Sequence, residues 1–109
     1  MNIEFSNFNI DDYGKQKVKD IAEKYLRQIA RRRDCDLHLT LKEIDRGKTP
    51  IHQIDVKAVT NLGVLTSEST DYNLFKAVSA ALKKIQNEIG HKEKNDKKKK
   101  AKGAGQSQD

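Results

Sequence analysis

Cys35 is the single thiol of this 109-residue chain, and His38 is one of three imidazoles. A shared metal ion is the first chemistry such a pair suggests. The stretch CDLHLTLKEI alternates apolar and polar residues, however, which predicts a strand. Residues three apart on a strand point to opposite faces and cannot chelate one ion. Cys35 is therefore expected as a small core residue, and His38 and His52 as surface or strand-edge residues. Asp55 and Glu68 are expected on the outward faces of adjacent strands, where paired carboxylates are ordinarily solvated. Gly14, Gly47, Gly63 and Gly90 stand singly, and no G-x-x-x-x-G-K-[ST] phosphate loop is present. The pattern forces no nucleophile–base pair together. The expectation is a protein that is not an enzyme, with no catalytic residue, metal, cofactor or small-molecule substrate.

The remaining chemistry is that of the cations. The formal net charge is +6, and seven lysines fall in residues 91–102 against Glu93 and Asp96. Residues 1–90 are nearly balanced, with 15 basic and 13 acidic residues. From Lys15 to Arg33 eight basic residues stand against Asp20 and Glu23. Two basic concentrations on a neutral background read as a footprint for a polyanion. The competing readings are a solvated helix face, with Asp20 and Glu23 as local partners, a solubilising tail, and an acidic membrane surface.

What the cations can do depends on the elements that carry them. NIEFSNF alternates and predicts a short first strand. Asn9, Asp11 and Asp12 are candidate caps for the helix that follows. In it Val18, Ile21, Ala22, Tyr25, Leu26 and Ile29 recur at three- and four-residue steps. Lys17, Lys24, Arg27 and Arg31 fall on the opposite side, interrupted by Asp20. The strand at 35–44 should turn Cys35, Leu37, Leu39 and Leu41 inward. DRGKTP reads as a loop, with Gly47 and Pro50 as breakers. IHQIDVKAVT predicts a third strand with Ile54, Val56 and Ala58 inward, and NLG a hairpin turn. VLTSEST predicts a fourth, with Leu65, Ser67 and Ser69 inward, small enough for a helix to approach closely.

Asp71 or Asn73 should cap a second helix with a stripe of Leu74, Val78, Ala81, Leu82, Ile85 and Ile89. Lys76, Lys83 and Asn87 lie opposite, and Lys84 flanks them. Gly90 either stops this helix or lets it run a turn or two further. KKKKAKGAGQSQD is low in complexity and is expected to be disordered. The chain thus divides into a domain at 1–94 and a lysine-rich tail at 95–109.

The order β-α-β-β-β-α predicts an α+β fold: one four-stranded sheet with both helices packed on one face. The first two strands should be parallel neighbours through a right-handed crossover, and the last three an antiparallel meander. Both basic ridges would then face away from the sheet on the same side. The open sheet face carries His38, Thr40, Lys42, Gln53, Asp55 and Lys57. It lacks the aromatic residues with which RNA-recognition sheets stack bases. No apolar run reaches the about 20 residues needed to span a bilayer, and MNIEFSNFNI is not patterned as a signal peptide. One cysteine allows no internal disulfide. Cytoplasmic location is the expectation.

The order of elements, ending in STDYNLFKAVSAALKKIQNEIGHKEK, resembles the bacterial ribosome hibernation-promoting factors, also called ribosome-associated inhibitors or sigma-54 modulation proteins. The resemblance covers roughly residues 1–94. That family typically begins its last helix with Asp-x-Tyr-x-Ala-Ile-Asp and ends on a His-Lys-x-Lys-like basic segment. NLFKAVS and GHKEK occupy those places here. Asn73 stands where the family often has Asp, Phe75 where it has Tyr, and Ser79 where a second Asp is usual. Asn73 can still cap and Phe75 can still pack, but any polar role of the Tyr hydroxyl or second Asp is lost.

The resemblance implies a fold like that of double-stranded-RNA-binding domains. It also implies a partner, the small ribosomal subunit and its rRNA, bound in the channel between head and body across the tRNA and mRNA sites. It further implies silencing of translation in slow growth or stress. Long members add a C-terminal dimerisation domain, so this chain resembles a short form, expected to be monomeric off the ribosome. The expected mechanism is occlusion, a wedge held by phosphate contacts that reads no bases. The expected rRNA-binding residues are Lys17, Lys24, Arg27, Arg31, Lys76, Lys83, Lys84, His91, Lys92 and Lys94. Two rivals remain: a general RNA-binding module or RNA chaperone using the same side, and a protein-interaction module using the open sheet face.

Overall fold

Alternation of apolar and polar residues builds the sheet and three- to four-residue apolar spacing builds the helices. The order is β1 (Asn2–Ser6), α1 (Asp12–Ala30), β2 (Cys35–Arg46), β3 (Thr49–Thr60), β4 (Gly63–Asp71) and α2 (Leu74–Lys100). The computed structural model describes residues 2–31, 34–47 and 49–100. The four strands form one sheet in the order β1-β2-β3-β4. β1 lies parallel to β2, with Ile3 opposite Leu37 and Phe5 opposite Leu39. β2–β3 and β3–β4 are antiparallel.

One face of the sheet is the core. Cys35, Leu37, Leu39 and Leu41 of β2, Ile54, Val56 and Ala58 of β3, and Leu65 of β4 are all buried. They join Val18, Ala22, Leu26 and Ile29 of α1 and Ala77, Val78, Ala81, Leu82, Ile85 and Ile89 of α2 in a single cluster. Both helices therefore cover the same face. Burial, and after it the Asp36 carboxylate, pushes the Cys35 thiol up to about 11. It stays protonated at neutral pH, as a packing residue should.

The helix starts are chemically defined. Asp11 is the N-cap of α1, and its Oδ1 accepts from the Gly14 N–H at 2.8 Å. Asp71 Oδ1 accepts from the Asn73 N–H at 2.8 Å, and Asn73 Oδ1 accepts from the N–H groups of Phe75 and Lys76 at 2.9 and 3.2 Å. The two candidate caps of α2 thus work in series, Asp71 shaping the turn and Asn73 satisfying the first free donors. The small inward residues of β4 admit α2 closely, and Ser67 Oγ donates to the Ala81 carbonyl at 2.7 Å.

Three boundaries differ from the sequence expectation. β2 and β3 pair out to Arg46 opposite Thr49, so DRGKTP is mostly strand around a two-residue turn. Gly47 (φ +86°) makes that turn, as Gly63 (φ +118°) makes the return from β3 into β4; both lie where a Cβ is disfavoured. Pro50 sits near the start of β3, where strands tolerate proline. His38 and His52 lie on the two central strands and not at an edge; His38 is part-exposed on the open surface as expected, whereas His52 is largely buried with Nδ1 3.4 Å from Glu43 Oε2. The third difference is α2, which runs through Gly90 to Lys100, six residues into the segment assigned to the tail. An isolated glycine costs about 1 kcal/mol in a helix, which the good helix formers around it absorb. Residues 101–109 of that tail lie outside the described residues.

Candidate nucleic-acid interface

The two helices run side by side in the same direction, as the parallel β1–β2 pair and the meander require. Two contacts fix their register. Lys17 Nζ of α1 lies 4.5 Å from the Phe75 ring centroid of α2, and Gln86 Nε2 of α2 donates to Gln28 Oε1 of α1 at 2.6 Å. Each joins residues 58 apart in sequence, one near the start of the helices and one eleven residues further on. In that register Lys24 lies level with Leu82, next to Lys83, and Arg31 with Ile89. Arg31 does share a cleft with Gln86, Ile89 and Gly90.

Helical phase then sorts the cations. Lys17, Lys24 and Arg31 are seven residues apart, so they remain on the flank of α1 that faces α2, with a drift of about 20° per step. Lys76, Lys83 and Lys94, at steps of seven and eleven, share the outer crest of α2, opposite its buried stripe and about a quarter turn from Phe75 and Gln86. All six are exposed. Seven residues rise about 10 Å and packed helices stand about 8–10 Å apart, so the two rows form a ladder of charge along the outer groove. Arg27 is exposed on the outer crest of α1. Both helix N-termini lie at the Lys17 end, where their dipoles add positive character.

The structure does not gather every expected residue into this ladder. Lys84 leans towards β4, where its Nζ donates to the Glu68 carbonyl at 2.6 Å. His91, one heptad on, is exposed on that same flank. Lys92 is half-buried on the core side of α2 just past Ile89. Lys17 is exposed but engaged, between the Phe75 ring and the Tyr13 ring at 6.0 Å, a cation–π arrangement that holds its charge in the groove. Among the described residues, Lys24, Arg27, Arg31, Lys76 and Lys83 have no carboxylate within ion-pairing distance.

The open sheet face is different. Lys42 Nζ meets Asp55 Oδ2 at 3.0 Å, and Gln53 Nε2 donates to the other Asp55 oxygen at 3.0 Å. Asp55 faces Glu68 in the register, as the alternation predicted. Ser6 Oγ and His38 Nε2 are 2.6 Å apart, with Glu4 Oε1 3.9 Å from Nδ1. Sequence reasoning missed this hydroxyl–imidazole contact, since it depends on the β1–β2 register, which alternation leaves open. The His38 side chain is 41% and the Glu4 side chain 65% exposed. Such a solvated row is a tie between strands, lacking the desolvation that sharpens a nucleophile. Among the described residues, no group of three or more His, Cys, Asp or Glu is placed to hold a metal ion. No described helix is long and apolar enough to cross a membrane.

Fold and site together define a class: an α+β sandwich of one four-stranded sheet and two parallel helices, with exposed cations along the outer side of the helices. Among solved structures, the fold is similar to the crystal structure of the N-terminal domain of Protein Y from Thermus thermophilus. That likeness has a TM-score of 0.60 and 16% identity over 81% of this chain and 91% of that chain. It is also similar to a ribosomal subunit interface protein from Coxiella burnetii, with a TM-score of 0.61 and 13% identity over 84% of this chain and 96% of that one. No family model matches the sequence, and no curated protein does.

Proposed function

We propose that the protein is a ribosome-associated translation inhibitor. It binds the small subunit through rRNA at the tRNA and mRNA channel and keeps ribosomes inactive under stress or slow growth. The observation that carries this reading is the groove between α1 and α2, flanked by Lys17, Lys24 and Arg31 on one side and Lys76, Lys83 and Lys94 on the other. A double row of exposed cations on two packed helices suits phosphates and has no means of reading base edges. The likeness of fold to a ribosomal subunit interface protein supports the choice of polyanion. Occlusion needs only a rigid wedge, and two helices bonded across Gln28 and Gln86 on a sheet supply one. Such a protein acts in the cytoplasm, without cofactor or catalysis. Lys84, His91 and Lys92 contribute from the β4 side and from the overhang of α2.

The test is co-sedimentation with small subunits, large subunits and free RNA. Arg27→Glu with Lys83→Glu should weaken small-subunit binding more than tenfold and leave the thermal melt unchanged, because both side chains are exposed. Normal co-sedimentation of that variant removes the helical surface from the mechanism. Equal competition by bulk duplex RNA favours the general RNA-binding module instead.

A further inference from the structure

The flank of α1 that faces away from α2 has a feature apart from the row of Lys17, Lys24 and Arg31, sharing only Arg27 with the cations assigned to rRNA. α1 packs over β2, so the inward face of β1 is covered only in part. Ile3 is half-buried and Phe5 is 37% exposed, although both point to the core side. Two adjoining clefts result. In one, Phe5, Phe8 and Val18 form the floor and Lys15 and Lys19 the rim. In the other, Ile3, Phe5 and Leu26 form the floor, with Lys19, Arg27 and Glu23 around it. Their volumes, about 320 and 480 Å³, fall in the range of pockets that bury ligand groups. Phe5 and Phe8 stack edge to face at 5.4 Å between centroids, which makes that floor rigid.

The same cleft runs beside a sheet edge. Among the described residues β1 is the terminal strand, paired only with β2, so its outer row of backbone N–H and C=O groups faces no described strand. The other edge is blunted, because Lys84 from α2 takes the Glu68 carbonyl of β4. A free edge beside a helix-walled apolar groove is the geometry by which an added strand is bound. Main-chain hydrogen bonds supply affinity and pockets for alternate side chains supply selectivity.

We propose that the β1 edge and the α1 flank form a docking groove for an extended peptide of a partner protein whose inward positions, every second residue, carry both apolar side chains and carboxylates. Charge selects this occupant. Lys15, Lys19 and Arg27 stand around the groove against Glu23, so inward carboxylates of the added strand are stabilised at the rim while inward apolar side chains cover Ile3 and Phe5. A second copy fits less well, because pairing β1 with β1 brings two Lys15–Lys19 rims together. Residues 101–109, AKGAGQSQD, offer no large apolar anchor and only Asp109 as a carboxylate.

The experiment pans the full chain against a random octapeptide phage library and titrates a synthetic copy of the enriched peptide into the isotopically labelled chain. Enriched sequences should carry apolar and acidic residues together at every second position, on one face of the added strand. The amides that shift should be those of β1 and the β1–α1 connection. Lys15→Glu with Lys19→Glu, both exposed, should weaken binding at least tenfold. A copy N-methylated at alternate amides should lose binding to a similar degree. The proposal is overturned by no enrichment, by enrichment without carboxylates, by shifts confined to β4 or the open face, or by a single-stranded oligoribonucleotide that moves the same β1 amides more strongly. Dimerisation of the free chain through β1 in sedimentation equilibrium would also overturn it.

Discussion

The two broad faces of this protein treat charge in opposite ways. On the open face of the sheet, Lys42 and Gln53 converge on Asp55, and His38 lies between Ser6 and Glu4. On the helical face, Lys24, Arg27, Arg31, Lys76 and Lys83 stand without a carboxylate among the described residues. Residues 1–90 carry nearly equal numbers of each sign, so the contrast comes from arrangement. On the sheet Lys42 of β2 reaches diagonally to Asp55 of β3, although Asp55 stands directly opposite Glu68. Seven-residue recurrence along two parallel helices lines like charges up in rows. Rows of like charge repel one another in the free protein and are relieved when a polyanion neutralises them. The helical face leaves its charge to be met from outside, whereas on the sheet face Lys42 and Asp55 meet each other.

The largest effect that separates the faces is the salt dependence. Five to eight phosphate contacts on the helical face give a log–log slope of roughly −4 to −7. Between 50 and 200 mM salt the affinity for small subunits should therefore fall by about a hundred- to ten-thousand-fold. A quantitative sedimentation series measures it. A nearly flat dependence breaks the comparison, because it would put binding on a surface whose charges are already neutralised.

Much of this arrangement was legible in the sequence, for a stated reason. Element order, the inward residues of every strand and the buried stripe of each helix follow from period alone. The Val18–Ile29 and Val78–Ile89 stripes lie where three- and four-residue spacing put them. Period also placed Lys17, Lys24, Arg27 and Arg31 opposite the buried stripe of α1, where all four are exposed. It could not say which flank faces the neighbouring helix, because that depends on where the crossover sets α1 above the sheet. For the same reason the contact of Lys84 with the Glu68 carbonyl and the exposed Phe5 floor were not foreseen. The β2–β3 hairpin was read too short because Gly47 and Pro50 both signal a break, and only pairing shows the ladder closing around a two-residue turn.

A smaller effect concerns how firmly the helical face is mounted. Asn73→Ala removes the acceptor of two backbone donors at the start of α2. It should cost about 1 kcal/mol, lowering the melting temperature by about 4–8 °C. Co-sedimentation well below that temperature should be unchanged, since Asn73 only holds the helix. Asn73→Asp keeps the acceptor and adds a favourable charge at the helix N-terminus, so it should restore the melt. Lost ribosome binding in a fully folded Asn73→Ala chain would mean that the cap itself touches the partner.

The smallest effect is the control on the sheet side. Exchanging the pair, Lys42→Asp with Asp55→Lys, keeps net charge and lets the two groups meet again across the β2–β3 ladder. Both side chains are part-exposed, at 57% and 32%, and a pair so close to water contributes on the order of 0–1 kcal/mol. Stability should shift by less than about 0.5 kcal/mol in urea titration, and small-subunit affinity should stay within twofold. The exchange inverts the local field on the open face and leaves every cation of the helical groove in place. If affinity drops tenfold while the melt holds, the open face contacts the partner. The protein-interaction reading then gains what the helical groove loses, because a surface already neutral within itself has only shape and local field to offer.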